Sequence, residues 1–370
     1  MLRNLKKSHR LIDLFLELVK IDGTSRCELT VRQYLVVFLK KLGLEPVVDN
    51  AGDAVGGNTG NIICKIGDGG DFVVLSHMDT AGPTKTIKPQ IHKDRITSDG
   101  TTILGADNRA GIAAILYNLE KMIQSGEKIK DFTLCFTICE ENNIEGSKHL
   151  ELPKTIQKGY VIDSSLRPGK FIHRTFGAKG LNIKITGKAA HSGLQPEDGI
   201  SAIYTASLAI SKLKLGRVNE TTTANLGIIK GGEAINVIPE TTEIIGEIRS
   251  QKVEDVEKLA SEFKQQFENA CQQTGAQLAF KSRWDFMPYY VSEDSDIFIH
   301  VVNIMEKLGL TPEPMLSAGG SDANPLNAKG IDAVNIGIGA QNPHSHDEYI
   351  LLEDLANAAN IVYEILREEG

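Results

Sequence analysis

The sequence is poor in cysteine and has no closely spaced pair of the metal-binding type. It contains five cysteines, an odd number, and no C-x-x-C motif: Cys27, Cys64, Cys135, Cys139 and Cys271. A disulfide framework needs paired cysteines, and a thiolate zinc site needs them at short spacing. We therefore expect neither, and we interpret Cys135 and Cys139, which lie in an apolar run, as core residues.

Basic blocks and long uninterrupted apolar runs are also missing. The net charge is −8, so the charge pattern does not favour binding to nucleic acid or to an anionic membrane. The apolar stretch 11–21 carries Asp13, Glu17 and Lys20, which is typical of an amphipathic helix and not of a secretory or membrane segment. These absences favour a cytoplasmic protein that acts on small molecules or peptides.

The chain is long for a single hydrophobic core. Its 370 residues predict two domains. Strands alternate with helices in residues 1–176 and again in 288–370, which predicts an α/β domain with a mixed, largely parallel sheet and helices on both faces. Within this domain, the apolar runs 62–66 and 72–75 flank a Gly-rich turn, and we predict that they pair as a hairpin.

Residues 177–287 have a different order of elements. We predict strands near 181–186, 223–230, 235–249 and 277–281, with helices at 199–213 and 253–271 after the first and third strands. The order strand-helix-strand-strand-helix-strand is typical of a ferredoxin-like α+β fold. We therefore expect an inserted domain whose two ends lie close together.

Imidazole and carboxylate side chains follow apolar segments of the α/β domain. They are His77, Asp79, Asp107, Glu140, Glu141, Asp163 and His344. Open α/β sheets bind ligands beyond the carboxyl ends of their strands. Nitrogen and oxygen ligands without thiolate suit zinc, with manganese or cobalt as alternatives. This set of residues therefore predicts a site for two divalent ions. Such a site can activate water for the hydrolysis of an amide.

Local spacing indicates roles for some of these residues. His77 and Asp79 lie on one face of an extended segment, so Asp79 could accept the second ring N–H of His77. The side chains of Glu140 and Glu141 diverge, so one could bind metal while the other acts as general base. Simpler explanations remain open: a hydrogen-bonded strand-end histidine, an Asp107 that caps a helix, and two solvated loop carboxylates.

In their order and spacing, these motifs resemble the dinuclear-zinc peptidase family that contains peptidase T, the glutamate carboxypeptidases and aminoacylase. The resemblance covers nearly the whole chain, and it implies that the inserted domain is a lid and dimerisation domain. It implies that Glu140 is the general base and that Asp79 orients His77. It also implies five metal ligands: His77, Asp107, Glu141, Asp163 and His344.

Three details of the ligand set follow from the resemblance. Asp107 is expected to bridge the two ions. The family has Asp-Asp and a cis peptide where this chain has Asp107-Asn108. His344 is favoured over its neighbour His346 because the family's ligand histidine precedes a glutamate by four or five positions, and Glu348 fits that spacing.

The resemblance also implies a set of substrate-binding residues. His191 is expected to reach the substrate carbonyl of the opposing subunit as an oxyanion donor, although a histidine in such a loop can simply be exposed. Asn236 and Arg249 match positions that contact the substrate backbone or its carboxylate, although an arginine that ends a strand is also typical of a surface ion pair. The Gly-rich loop contributes the remaining residues, whose N–H groups can meet an anion: Gly319, Gly320 and Ser321.

We therefore predict a dimeric, cytoplasmic exopeptidase with two zinc ions that removes one residue from the N-terminus of di- or tripeptides. An N-acyl amino acid deacylase or a carboxypeptidase could use the same metal residues. Ala318 stands where peptidase T has an arginine, so tripeptide specificity is not implied. A catalytically inactive binding protein of the same fold would have lost the base or a ligand, and none is missing here.

Overall fold

The computed structural model describes residues 9–368, which form seventeen β-strands and ten α-helices. The strands are β1 (Val47–Val48), β2 (Ile62–Ile66), β3 (Phe72–His77), β4 (Gln90–Ile91), β5 (Arg95–Thr97), β6 (Phe132–Thr137), β7 (Lys158–Ser164), β8 (Lys170–Thr175), β9 (Gly177–Thr186), β10 (Gly216–Asn219), β11 (Thr222–Gly231), β12 (Thr241–Ser250), β13 (Gln277–Phe286), β14 (Glu313–Ser317), β15 (Asp332–Gly337), β16 (Ala340–Gln341) and β17 (Tyr349–Leu351). The helices are α1 (His9–Val19), α2 (Leu29–Lys41), α3 (Ala51–Val55), α4 (Ala106–Ser125), α5 (Glu145–Lys148), α6 (Ala202–Ile210), α7 (Val253–Thr274), α8 (Asp296–Lys307), α9 (Ala323–Ala328) and α10 (Leu352–Leu366).

The chain divides into two compact units. The first comprises the described residues up to Arg174, Tyr290–Ser317 and the residues from Ser321 onward. The second comprises Thr175–Tyr289 and the short segment Ala318–Gly320. The predicted insertion, residues 177–287, lies within the second unit.

An eight-stranded mixed sheet forms the centre of the first unit, in the order β1-β2-β6-β3-β7-β15-β8-β14. The four central strands, β6, β3, β7 and β15, are mutually parallel, and β2 and β8 flank them in antiparallel pairing. Every residue of β3 and β6 is buried, as expected for parallel strands that are covered on both faces. The predicted α/β class is confirmed.

The predicted hairpin between β2 and β3 is wrong. Strand β6 lies between them and pairs antiparallel with β2 and parallel with β3. The Gly-rich turn passes over the residue that precedes β6: a Cβ at Gly70, whose φ is +54°, would lie 1.9 Å from the carbonyl oxygen of Asp131. Glycine is therefore required there for a close backbone approach, and a glycine-rich sequence does not distinguish that from a hairpin turn.

Helix α4 packs on the sheet, and α1 and α10 pack on α4. The first half of α4 is rich in small and branched residues, and Ile112–Leu116 is entirely buried. Helix α1 buries one stripe of residues, as its amphipathic pattern predicts: Leu11, Leu14, Phe15, Leu18 and Val19. Within residues 9–368, no helix combines the length and the apolar character needed to cross a membrane.

The second unit is an antiparallel five-stranded sheet in the order β10-β11-β12-β9-β13, with α6 and α7 packed on it. The predicted strand-helix-strand-strand-helix-strand order is confirmed, and the short edge strand β10 is an addition to it. Strand β12 begins at Thr241 and not near 235, because Ile235 lies fully exposed in a turn. Ile183 of β9 pairs with Ile244 of β12 in the core of this unit.

Candidate active site

The imidazole of His77, the last residue of β3, lies buried among three carboxylates. Its Nδ1 is 3.0 Å from the carbonyl oxygen of Asp79 and 3.3 Å from Asp79 Oδ1. Its Nε2 is 3.1 Å from Asp107 Oδ1 and 3.1 Å from Asp163 Oδ1. One ring nitrogen is therefore oriented by Asp79 while the other points at two oxygens that could share a cation with it.

Asp107 lies between two imidazoles. Its Oδ1 is 3.1 Å from His77 Nε2 and its Oδ2 is 3.6 Å from His344 Nε2. The same nitrogen of His344 is 3.0 Å from Glu141 Oε1. Each oxygen of Asp107 thus faces a separate nitrogen donor, which is the arrangement required of a carboxylate that contacts two metal ions. His346 is exposed.

The start of α4 fixes Asp107 in this place. The peptide bond between Asp107 and Asn108 is cis, and the helix is preceded by Gly105, with no side-chain cap. Asn108 donates from Nδ2 to the carbonyl of Ile162 at 2.9 Å and accepts from the N–H of Gly111 at 3.2 Å. An ionised aspartate has no donor for the first bond, so the asparagine of this chain attaches the loop to β7.

Asp79 connects the histidine to the acidic loop after β6. Its Oδ1 accepts the backbone N–H of Glu140 at 3.0 Å, and its Oδ2 accepts the backbone N–H of Glu141 at 3.1 Å. Ser25 donates its hydroxyl to Oδ2 at 2.6 Å. A single buried carboxylate therefore positions His77 and the two glutamates relative to one another.

Two residues that support the site were not predicted for these roles. Asn335 of β15 donates from Nδ2 to Asp163 Oδ2 at 3.3 Å and accepts the N–H of Ser164 at 2.7 Å. Glu348, which is fully buried, accepts the N–H groups of Gly105 at 2.7 Å and Asp107 at 3.1 Å. Burial raises the pKa of Glu348 to about 7. Nothing in the local sequence marks Asn335, whereas Glu348 stands out by its spacing from His344.

The pKa values of the buried carboxyl groups show that a nearby positive charge would stabilise their ionised forms. Burial raises the pKa of Glu140 well above its usual range and also raises the pKa of Glu141 and of Asp163. Burial acts against the charge of Asp107 too, but hydrogen bonds from His344 and His77 lower its pKa below the ordinary value.

The pKa values of the two histidines are raised as well, which favours their charged forms. Burial opposes the charge on His77, yet Asp163 and Asp107 raise its pKa well above the usual value. Hydrogen bonds to Asp107 and Glu141 raise the pKa of His344 to about 10. Protons on two imidazoles thus supply positive charge among the carboxylates, and divalent cations fit where those protons lie.

The donor set supports this fit. Ligand atoms of His77, Asp107 and Glu141 all lie within 4.8 Å of one another. Imidazole nitrogen and carboxylate oxygen are ligands that suit zinc and other divalent first-row metals. The structure therefore presents a candidate metal site formed by these three residues.

The second unit brings together two of the predicted substrate residues. The loop of His191 pairs with the segment of Asn236: Ser192 donates its N–H to the carbonyl of Asn236 at 3.0 Å, and Ile238 donates to Ala190 at 2.8 Å. The His191 ring is exposed, and its Nδ1 accepts the N–H of Gly193 at 3.2 Å.

Arg249 reaches the Gly-rich loop of the same unit. Its guanidinium donates to both carboxylate oxygens of Glu247 at 3.0 Å and to the carbonyl of Ala318 at 2.8 Å. The ion pair with Glu247 is the surface pair that the sequence left open as an alternative. Arg249 makes this pair and also contacts Ala318, the residue before Gly319 and Gly320. Ser321 belongs to the first unit, where its N–H is accepted by Asn324 Oδ1 at 2.9 Å.

Comparison with known proteins identifies the family. Residues 173–275 match the family model described as the peptidase dimerisation domain of M20 peptidases. The aminopeptidase PepT of Bacillus cereus ATCC 10987 superposes with a TM-score of 0.88 at 33% identity, over 96% of this chain and 97% of that one. The chain belongs to the M20 peptidase family.

Other relatives extend over the same length. A tripeptidase of Staphylococcus aureus superposes on this M20 peptidase with a TM-score of 0.90 at 31% identity, covering 96% of this chain and 97% of that one. The uncharacterised protein YqjE of Bacillus subtilis strain 168 is 34% identical over 97% of this chain and 98% of its own length. The resemblance seen in the sequence is confirmed, and the chain is a peptidase T-like metallopeptidase.

Proposed function

We propose that this peptidase releases the N-terminal residue of di- and tripeptides with two divalent ions, most simply zinc, with manganese or cobalt as alternatives. The observation that carries the proposal is the position of Asp107 between two imidazoles. His77 and Asp163 would hold one ion together with Asp107. Glu141 and His344 would hold the other, also with Asp107. When bound, such ions acidify water and polarise a carbonyl group.

Glu140 is the general base of this proposal. Asp79 holds the backbone N–H groups of Glu140 and Glu141. Glu140 therefore lies next to a proposed metal ligand, and the proposed set of ligands is complete without it. Glu140 takes a proton from the attacking water, whose oxygen bonds to the carbonyl carbon of the scissile amide. As the carbon–nitrogen bond breaks, Glu140 returns the proton to the leaving amine, so one water is consumed and two peptide ends are formed.

Recognition of the peptide is proposed to involve the second unit. His191 would donate a hydrogen bond to the substrate carbonyl of a partner subunit, with Asn236 beside it in the same pair of loops. Arg249, Gly319 and Gly320 would face the substrate backbone or its carboxylate, and Ser321 continues that loop. The names aminopeptidase and tripeptidase of the two similar structures support a peptide with a free amino end.

A homodimer formed through the second unit is part of the proposal. The match to a peptidase dimerisation domain supports it, as do the neighbouring strand partners Ile228 and Ile245, which are 46% and 47% exposed. Ile245→Lys should lower the sedimentation coefficient towards that of a monomer. The matched control is Ile299→Lys in α8, since Ile299 is also 47% exposed but lies in the first unit.

The substrate class is tested with protein stripped of metal and reloaded with defined amounts of zinc. The substrates are tripeptides with a free amino end, the same tripeptides acetylated at that end, N-acyl amino acids and peptides with a C-terminal glutamate. Mass spectrometry of the products should show release of the first residue from the free tripeptides only. Faster cleavage of N-acyl amino acids, or release of the last residue, would favour a deacylase or a carboxypeptidase, which Ala318 leaves open.

A further inference from the structure

The loop that carries Glu140 and Glu141 is held by side chains at four consecutive backbone N–H groups. Strand β6 ends at Thr137, and the next four residues donate to side-chain oxygens from three distant parts of the chain. Ile138 donates to Asn61 Oδ1 at 3.0 Å, Cys139 to Glu28 Oε1 at 2.9 Å, Glu140 to Asp79 Oδ1 at 3.0 Å and Glu141 to Asp79 Oδ2 at 3.1 Å. Asp79 also orients His77, whereas Glu28 is not among the predicted site residues.

Glu28 is an unusual residue to find in this place. It is fully buried at the position that precedes α2. Its Oε1 accepts the N–H groups of Arg26 and Cys139, both at 2.9 Å, and the Cys139 thiol at 3.5 Å. Its Oε2 is buried without a hydrogen-bond partner. Burial raises the pKa of Glu28, and the negative charge of the nearby Asp79 raises it further.

Such a group is costly for stability. An unpartnered buried polar atom destabilises a fold because it loses its hydration without gaining a hydrogen bond, and native proteins contain few of them. An apolar side chain at position 28 would avoid that loss but would remove the acceptor of the N–H groups of Arg26 and Cys139. Glu28 therefore holds two backbone N–H groups, and that of Cys139 belongs to the loop of Glu140 and Glu141.

Cys139 has a backbone conformation that needs such support. Its φ is +50°, in the left-handed region that residues other than glycine adopt at a cost. The residue turns the chain from β6 into the acidic loop, and the next two side chains are those of Glu140 and Glu141. A change of backbone at Cys139 would move both carboxylates away from His77 and His344.

We propose that Glu28 is a positioning residue for the acidic loop: by accepting the N–H of Cys139, it holds the turn that presents Glu140 as base and Glu141 as ligand. The roles of these two glutamates rest on the proposed function. The effect on the backbone of the loop does not, because it is a property of the metal-free chain.

The test compares three variants of Glu28. Glu28→Ala removes the oxygen that accepts the N–H of Cys139, and Glu28→Asp withdraws it because the side chain is shorter. Glu28→Gln retains an oxygen at Oε1. Asp354→Ala is the matched control, because Asp354 is also a buried carboxylate of the first unit, bound by Arg167 at 2.9 Å and remote in sequence from the loop. Hydrogen exchange of the metal-free proteins should be faster at residues 138–141 in Glu28→Ala and Glu28→Asp only. Glu28→Gln should exchange like the wild-type protein.

Zinc affinity and kcat for a tripeptide should each fall by about 10–100-fold in Glu28→Ala and Glu28→Asp, with KM little changed, and Glu28→Gln should restore most of both. If Glu28→Ala does not fold, Glu28→Asp supplies the comparison. Unchanged exchange at residues 138–141 together with wild-type zinc affinity would overturn the proposal, and so would a Glu28→Gln variant as defective as Glu28→Ala. If the wild-type protein cleaves no peptide, the proposed function fails, while exchange and zinc affinity still decide the role of Glu28.

Discussion

The carboxylate of Glu348 accepts a hydrogen bond from the backbone N–H of Asp107, a residue 241 positions earlier in the chain, at an N···O distance of 3.1 Å. Its other oxygen accepts the N–H of Gly105 at 2.7 Å. Both oxygens of one buried side chain are thus used to hold the segment that places Asp107 between His77 and His344. Glu348, which follows His344 by four positions, consequently has a structural function of its own.

Glu348→Ala should weaken zinc binding by about 10–100-fold, because the loop that carries Asp107 loses both acceptors. The metal-free protein should also lose about 1–3 kcal/mol of unfolding free energy for each buried N–H left without a partner. Glu348→Gln should be intermediate, since its amide offers only one acceptor oxygen to two donors. Zinc titration and urea unfolding measure these effects. Glu353→Ala, at a side chain 72% exposed, is the control, and a Glu348→Ala protein with wild-type zinc affinity would refute this role.

Asp322 should make the stability of the metal-free protein depend on pH. It is buried and accepts the hydroxyl groups of Thr137 and Ser147, both at 2.5 Å, and burial raises its pKa to about 6. Because the folded pKa lies above the unfolded value of about 3.9, its contribution is fully present below about pH 4 and is lost as the pH rises through 6. The loss reaches about 3 kcal/mol, taken from a shift of about two units.

Urea unfolding of wild-type and Asp322→Asn proteins at pH 4, 5, 6 and 7, with a chelator present, measures this contribution. The amide can be hydrogen-bonded by both hydroxyl groups but cannot ionise, so the difference in stability between the two proteins should change in favour of the variant as the pH rises. Parallel pH profiles would show that Asp322 does not titrate in this range.

Lys329 should stabilise the first unit by capping the short helix α5. Its ammonium donates to the carbonyl oxygens of Ser147 and Leu150, both at 2.7 Å, and burial lowers its pKa. Lys329→Met should reduce the unfolding free energy by about 1–3 kcal/mol, because two carbonyl groups lose a charged donor. Lys128→Met, at a side chain 82% exposed, should change it by less than about 0.5 kcal/mol. Equal effects of the two substitutions in urea unfolding would contradict the capping role.

The sequence predicts the residues with a chemical signature better than those that support them. His77, Asp107 and Glu141 could be found because charged or imidazole groups directly follow apolar runs, and parallel strands bring such ends to one edge of a sheet. The ferredoxin-like order of the second unit was predictable because its apolar periodicity changes with each element.

Other features depend on distant contacts and leave no local pattern. Asn335, Glu28 and Asn61 are single polar residues whose partners lie in other strands or loops. The position of β6 between β2 and β3 could not be read from the Gly-rich turn, because the turn residues are the same in both topologies. Arg109 is buried and donates to the carbonyl of Met78, although charged residues are mostly exposed and its sequence gives no sign of this burial.

Glu140 is proposed to transfer the proton while the neighbouring carboxylates and imidazoles bind metal. The most direct test is kcat of Glu140→Gln for a tripeptide, measured at full zinc occupancy. We predict a wild-type zinc content and a kcat lower by about 100- to 10,000-fold, because the amide cannot accept the proton of the attacking water. A Glu140→Gln protein that binds zinc normally and turns over at the wild-type rate would show that Glu140 is not the base.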